Sequence, residues 1–333
     1  MGSDSSPTIF FEAVLAVARS VEFPTCFVLI ATRSSAELLR RQYASLRSSI
    51  ESSGLARVEF RSVSDVVEMG DEPASVVARK RASSLLVGIR LLRRGDLDGL
   101  VSAGNTGALV TAASLHLPKL PGIQRPALLA MLPSSLGAVA LLDVGGSVSC
   151  KTHHLVQFAF MGAAFQQSVY GIERPVVALL NVGAESMKGT PAVKEAYRVL
   201  MKDAAERQDF HFVGNLEGQQ LFQGGVDVVV ADGFTGNAVL KTCEGVSAFL
   251  FDRLSQSLPQ DAAMQLGRTL DKLKASFSQA EHPGAVLCGM ECVVVKCHGN
   301  ASPQAICSSI KGAMTLVQRQ IIPKIKTRLE QLC

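Results

Sequence analysis

An α/β fold with a largely parallel sheet covered on both faces is what this sequence predicts, on two observations. Short apolar runs alternate with amphipathic helical patterns along the chain. Polar, mostly glycine-rich loops follow those runs, around Asn105, Gly145, Lys188, Asn215, Asn237 and His298. Sheets of this kind place ligands outside the carboxyl ends of their strands, so the loops are expected to share one site. No linker or low-complexity segment marks a boundary, and 1–333 reads as a single α/β catalytic domain.

The elements follow in order. A Gly/Ser/Asp loop to Pro7 precedes an amphipathic helix over 8–20, then a buried strand at 25–31. Ser34 and Ser35 start a helix to Ile50, with Leu38, Leu39, Tyr43 and Leu46 predicted on one face. Residues 58–63 alternate as a strand. Asp71-Glu72-Pro73 opens a helix expected to reach Arg94. Leu97 to Val101 is a strand leading into Ser102 to Leu109, the first of two related stretches, and its helix ends near Pro118.

Runs at 125–132 and 137–143, joined by Pro133-Ser134-Ser135, have hairpin spacing, so part of the sheet is expected to be antiparallel. A helix over 154–170 leads to a strand at 176–182, then the loop Gly183 to Thr190 and a helix opened by Pro191. Residues 210–213 form a strand expected to end in Gly214-Asn215. The strand 226–231 precedes the second stretch, Asp232 to Leu240, whose helix is expected to reach Ser257. A second helix to Phe277 would complete a hairpin over about 240–280. Residues 281–289 read as a loop, 292–297 as the last strand, and Pro303 starts the C-terminal helix.

Hydrophobic residues make up 47% and charged residues 19% of the 333, a globular composition. The net charge of +4, the absence of Trp and the lack of a long Lys/Arg block disfavour nucleic acid as a partner. The eight cysteines form no Cys-x-x-Cys pair, and no secretory leader is visible, so reduced and mostly buried thiols in the cytoplasm are expected. No apolar run reaches the roughly 18 residues of a spanning helix.

The two related stretches carry the chemistry. Gly104-Asn105-Thr106-Gly107 and Gly233-Phe234-Thr235-Gly236 each follow a strand and open a helix, where backbone N–H groups favour an anion. We expect two halves of one phosphate or oxyanion site. A single loop of this kind is equally a tight turn with a capping side chain. Neither a Walker A motif nor a full Gly-x-Gly-x-x-Gly is present, which disfavours nucleotides. Lys188 lies between glycine turns, and Lys241 follows Asn237 by one helical turn on the same face. Arg79 and Lys80 sit on a helix whose bland reading is a solvated face. His298 is either a loop cap or a proton donor. The Cys288, Cys292 and Cys297-His298 spacing is not that of a zinc site, and no metal is expected. No serine or cysteine nucleophile signature appears, which fits a substrate that is itself the nucleophile.

Together these stretches resemble the phosphate acyltransferases of bacterial phospholipid synthesis (PlsX type). The resemblance runs through Met1-Gly-Ser-Asp, Arg79-Lys80 with Ser83-Ser84, and Ser102 to Leu109. It continues in Arg125 to Leu128, Leu141 to Gly145, Arg174-Pro175, Asn181 to Gly183 and Glu185 to Gly189. It closes with Gly214 to Gly218, Asp232 to Lys241, Glu244-Gly245 and His298-Gly299. The resemblance implies a Rossmann-like three-layer α/β/α sandwich similar to isocitrate and isopropylmalate dehydrogenases and to phosphotransacetylase. It implies conversion of acyl-ACP and inorganic phosphate to acyl-phosphate and free acyl carrier protein, without a cofactor, by a homodimer. The product would feed a membrane glycerol-3-phosphate acyltransferase. Catalysis is then expected from Lys188, Asn237, Lys241 and His298. Substrate binding is expected from Gly2, Asp4, Arg79, Lys80, Gly104, Asn105, Thr106, Gly107, Asn215, Asp232, Gly233 and Gly236.

Family members normally carry a strand before the Met-Gly-x-Asp loop, so the true start is expected upstream of Met1. The stretch Glu281 to Gly289 keeps only part of the family's glycine-rich pattern. On the 240–280 hairpin, Val246, Phe249, Leu250, Leu254 and Leu258 form one apolar stripe, and Leu266, Leu270, Leu273 and Phe277 another. Arg253, Arg268, Lys272 and Lys274 add positive charge there. A dimer bundle is the first expectation for it, compatible with a peripheral membrane contact or a basic surface for acyl carrier protein. The competing functions are a phosphotransacetylase acting on acyl-CoA and a catalytically inactive membrane scaffold.

Overall fold

The computed structural model describes Gly2, residues 5–258, Gly267, Thr269, Leu273 and residues 284–330, with the backbone alone at Arg207. Asp4 and most of 259–283, with all of the expected second hairpin helix but Gly267, Thr269 and Leu273, lie outside the described residues. The chain forms two compact units: Met1–Pro118 with His282–Gly284 and Met290–Arg319, and Lys119–Glu281 with Ala285–Gly289 and Gln320–Cys333.

In the first unit, Ser6 caps α1 (Pro7–Ala18) by accepting from Thr8 N, and Pro7 pre-sets the first turn. Strands β1 (Thr25–Thr32) and β2 (Ala56–Val63) run parallel, joined through α2 (Arg33–Ile50). The buried face of α2 is Ala36, Leu39, Tyr43 and Ile50, a 3-4-7 spacing, and Leu38 is 52% exposed, off the face expected for it. Phe11, Tyr43 and Phe60 pack ring against ring in the core of this unit, with Tyr43 and Phe60 centroids 5.7 Å apart.

The helix expected over 71–94 is two helices, α3 (Pro73–Arg79) and α4 (Ser84–Arg94). The break has a local cause. Ser83, fully buried, caps α4 through Leu86 N and bridges to Asp65. Strand β3 (Gly99–Ser102) feeds α5 (Thr106–His116).

The second unit begins with the hairpin foreseen from spacing: β4 (Ala127–Ser134) and β5 (Gly137–Leu142) are antiparallel. The turn is Ser135-Leu136, and Pro133 lies inside the pairing, opposite Ala138. Then follow α6 (Thr152–Tyr170), β6 (Val176–Leu180), α7 (Pro191–Arg207), β7 (His211–Leu216), β8 (Val228–Val230), α8 (Gly233–Ser257) and β9 (Ala285–Cys288). The strand order is β9-β4-β5-β8-β6-β7, with β5, β8, β6 and β7 mutually parallel. Strand β9 was expected as loop. It is four residues between glycines at φ +69° and +91°, and its antiparallel pairing with β4 defines it. Strand β7 runs two residues beyond Gly214. That glycine, at φ +94°, accommodates a register shift against β6, so Asn215 lies within the strand rather than in a loop after it.

Back in the first unit, β10 (Val293–Lys296) pairs parallel with β3, and α9 (Pro303–Gln318) packs on α1. The C-terminal helix stops at Gln320, at φ +50°, and α10 (Ile321–Glu330) packs on α6 in the second unit. Among the described thiols, Cys288 and Cys297 are buried, four are partly buried and Cys26 is exposed, so burial is less general than expected.

Candidate functional site

In the first unit, Ser102 lies opposite Lys296 across the β3–β10 pair, and Cys297 N donates to Ser102 O. The loops carrying Gly104-Asn105 and His298 thus leave neighbouring strand ends. Asn105, 8% exposed, caps α5: its Oδ1 accepts from Ala108 N at 2.9 Å. Its Nδ2 donates to Met69 O at 2.9 Å and Asp71 O at 3.0 Å, with a longer contact to Glu68 O. Both ends of the amide are therefore spent on holding the 68–71 segment to the helix start. Thr106 and Gly107 are the first two helical residues, whose N–H groups have no acceptor within the helix. Gly107 also leaves room for Pro73 of α3.

Lys80 works on the same segment. Its Nζ donates to Asp71 Oδ2 at 2.7 Å and to Val66 O at 3.0 Å. The Lys80 hydrogen bond holds the Asp71 carboxyl below its ordinary value, and Asp71 raises Lys80 in return. Gly2 abuts the carbonyl of Val67, and Gly104 approaches the carbonyl of Gly2. Arg79 is exposed and has no ion pair among the described residues. His298 is exposed, and its Nδ1 accepts from Asn300 N at 3.2 Å, the bond of a loop cap. Ser5 Oγ donates to Gly299 O, tying the N-terminal segment to this loop. Lys296, only 9% exposed, donates from Nζ to Cys297 O. Nothing in the sequence marks it, because a strand-end lysine normally reads as solvated.

The second unit is organised around a residue that sequence reasoning did not single out. Asp143, fully buried, accepts from Leu128 N (3.0 Å), Gly145 N (3.2 Å) and Gly146 N (2.8 Å) on Oδ1 and from Ser147 Oγ (2.7 Å) on Oδ2. Burial pushes its carboxyl above the usual range, opposed by the Ser147 hydroxyl and the backbone N–H groups. An acid directly after an uninterrupted apolar strand and before two glycines was the available signal.

The first turn of α8 rests on this loop. Asp232 caps it, accepting from Thr235 N at 2.8 Å and Thr235 Oγ1 at 3.0 Å. A Cβ on Gly236 would collide with the Asp143 carbonyl, and one on Gly233 with the Ser147 carbonyl, so both positions need glycine. The helix start is thereby pressed onto the Asp143–Ser147 turn. Asn237, exposed, sits beside Gly145, close enough that a Cβ there would lie 3.6 Å from Asn237 Oδ1. Lys241 follows one turn later, exposed, its Nζ 2.6 Å from Glu244 Oε2. Cys150 Sγ donates to Ser147 Oγ at 3.7 Å, and burial pushes this thiol up.

Lys188 lies in the loop after β6. Asn181 braces that loop, donating from Nδ2 to Lys188 O at 3.0 Å and accepting Val182 N at 2.8 Å. Asn215 Nδ2 donates to Glu185 O at 2.9 Å. Asn215 is thus tied to the loop that carries Lys188, and the Lys188 side chain is exposed. Within the second unit the structure groups Asp232, Gly233, Gly236 and Asn237 with the Asp143 turn, Lys241 one helical turn further along α8, and Asn215 with the loop of Lys188. Within the first it groups Gly2, Lys80, Gly104, Asn105, Thr106 and Gly107, with Arg79 exposed at the end of α3 next to Lys80.

Solved structures of the same fold include the EutD phosphotransacetylase from Staphylococcus aureus, 14% identical, covering 93% of this chain and 99% of that one at a TM-score of 0.51. A branched-chain phosphotransacylase from Enterococcus faecalis V583 is 16% identical, with 95% and 97% coverage and a TM-score of 0.53. The 4-hydroxythreonine-4-phosphate dehydrogenase of Klebsiella pneumoniae scores 0.52 at 12% identity, over 94% of this chain and 95% of that one. The fold is therefore the Rossmann-like α/β arrangement that these proteins share.

Curated relatives go further. A phosphate acyltransferase of Thermoanaerobacter pseudethanolicus is 39% identical over 288 residues, 84% of this chain and 85% of that protein. The phosphate acyltransferase of Chlamydia pneumoniae is 35% identical over 334 aligned residues, 99% of this chain and 97% of that protein. The model of the family described as "Fatty acid synthesis protein" matches residues 1–324, and the chain belongs to that family. It is an enzyme of the phosphate acyltransferase class.

Proposed function

We propose that the enzyme transfers the acyl group of an acyl carrier protein thioester to inorganic phosphate. A phosphate oxygen attacks the carbonyl, the C–S bond breaks, and acyl phosphate and the carrier thiol leave. The observation that carries this reading is the start of α8. There an exposed amide, Asn237, lies beside a glycine turn anchored by Asp143, and an exposed ammonium, Lys241, follows one helical turn later. These are groups that stabilise an anion, and the adjacent thiol, Cys150, is shifted towards its protonated, poorly nucleophilic form. Phosphate needs no protein nucleophile, and a thiol leaving group with pKa about 8.5 needs little acid assistance. Positioning and oxyanion stabilisation remain, and both suit this arrangement.

In this reading Asn237, Lys241 and Lys188 bind the developing negative charge. The N–H groups of Thr106 and Gly107 bind anionic oxygen, and Arg79 is a further cation for it. His298 protonates the departing thiolate. Asn105, Lys80, Asp232 and Asn215 position the loops, and Gly2, Gly104, Gly233 and Gly236 permit their close approaches. The acyl phosphate is a substrate for a glycerol-3-phosphate acyltransferase of the membrane. The exposed stripe Val246 (50%), Phe249 (61%), Leu250 (52%) and Leu254 (46%) on α8 supports a homodimer closed over that face, with a peripheral membrane contact compatible with it. Among the described residues no helix is long and apolar enough to cross a membrane.

The test is to supply long-chain acyl-ACP with phosphate, trap acyl phosphate as a hydroxamate and measure released thiol. Phosphate-dependent formation of both is expected, well above turnover of acetyl-CoA. Turnover of acetyl-CoA alone would make the protein a phosphotransacetylase. Vesicle binding without any acyl phosphate would make it a scaffold.

A further inference from the structure

From Lys119 to Ile172, 54 residues of the second unit, the sole acidic residue is Asp143, and it is fully buried. The same stretch carries Lys119, Arg125, Lys151, His153 and His154. Lys119 Nζ donates to Gln124 O at 3.0 Å and Arg125 Nη1 to Ser149 O at 3.0 Å, both neutral carbonyls. Lys151 is exposed, and none of these three cations has an acidic partner among the described residues.

The groups are also close together. His154 is held neutral down to about 4, by burial first and then by His153, Arg125 and Lys151. The His153 and His154 rings are 4.2 Å apart. Both rings lie in the first turn of the 19-residue helix α6, capped at Lys151, which adds the positive end of its dipole. Like charges gathered without a counter-charge cost stability unless something negative covers them. The patch is continuous with the catalytic turn: Arg125 bonds Ser149, Cys150 bonds Ser147, and Ser147 bonds Asp143.

We propose that the face formed by Lys119, Arg125, Lys151 and His153 is the landing surface for an acidic carrier protein that delivers the acyl thioester. The proposal rests on the donor being a carrier-bound thioester. It places the carrier on the α6 start rather than on the 240–280 hairpin. Charge complementarity of this kind mainly accelerates and orients encounter.

Lys151→Glu and Lys119→Glu test it, since neither lysine takes part in the chemistry. With acyl-ACP, KM rises by about tenfold in each at low salt, and kcat holds. Turnover of acyl-pantetheine, a thioester without a protein carrier, is unchanged, and added salt removes the difference between variants and wild type. Unchanged KM for acyl-ACP in both variants overturns the landing surface and leaves the donor assignment intact. Equal losses on acyl-pantetheine overturn it as well. If the same variants instead lose binding to phosphatidylglycerol vesicles at unchanged KM, the face belongs to a lipid surface. Wild-type enzyme inactive on acyl-ACP removes the donor assignment and this proposal together.

Discussion

The two glycine loops look alike and are used differently. Each follows a strand, opens a helix and carries a side chain that caps the third helical N–H, Asn105 in one and Asp232 in the other. In the first loop the asparagine is consumed by that cap and by three carbonyls of the 68–71 segment. In the second, the cap is a separate residue, and the asparagine one turn later is left exposed beside Gly145. The same residue type is a brace in one loop and an available donor in the other. What separates them is whether a neighbouring backbone segment has already claimed the amide.

That contrast can be broken by substitution. The largest effect is expected at Gly236→Ala, whose Cβ has backbone on its far side and nothing that can yield. It costs about 4 kcal/mol or more, seen as loss of soluble protein or of its unfolding transition. Asn105→Ala comes next. Losing the cap and the bonds to the 68–71 segment costs about 1–3 kcal/mol in denaturant unfolding. Lys188→Ala should leave stability unchanged and lower turnover by about tenfold to a hundredfold, since its side chain is exposed and its loop is held by Asn181 and Asn215 through backbone groups. Undiminished turnover would remove Lys188 from the chemistry.

The smallest effect is a pH dependence. His154 titrates near 4 in the folded state against 6.5 when unfolded, so the folded state favours the neutral ring. Its contribution is full above 6.5 and is lost as pH falls towards 4. His154→Gln should flatten the fall in Tm across that window, and a profile identical to wild type would contradict the assignment.

Much of this was legible from residue pattern alone. The α/β class, the β4–β5 hairpin and the placement of Asn105 and Asn237 at helix starts all follow from apolar runs, glycine turns and capping residues. Other features depend on tertiary context. Leu38 is apolar but lies off the face that Leu39 and Tyr43 bury. Lys80 and Ser83 break a helix that propensity would continue, because a carboxylate and a bridge partner from elsewhere claim them. Strand β9 exists through its pairing with β4. Asp143 could be seen as a strand-end acid with three donors in the turn that follows it, but its fourth, Leu128 N, comes from the neighbouring strand and meets it only in the fold.

The most direct measurement is Asn237→Ala beside Asn105→Ala, each assayed for acyl-phosphate formation and for thermal stability. Asn237→Ala should lose about a hundredfold in kcat with Tm within a degree or two of wild type. Asn105→Ala should lose several degrees of Tm and, well below its transition, keep most of its turnover per folded molecule. Full activity in Asn237→Ala, or a Tm loss there matching that of Asn105→Ala, would contradict the division of labour between the two loops.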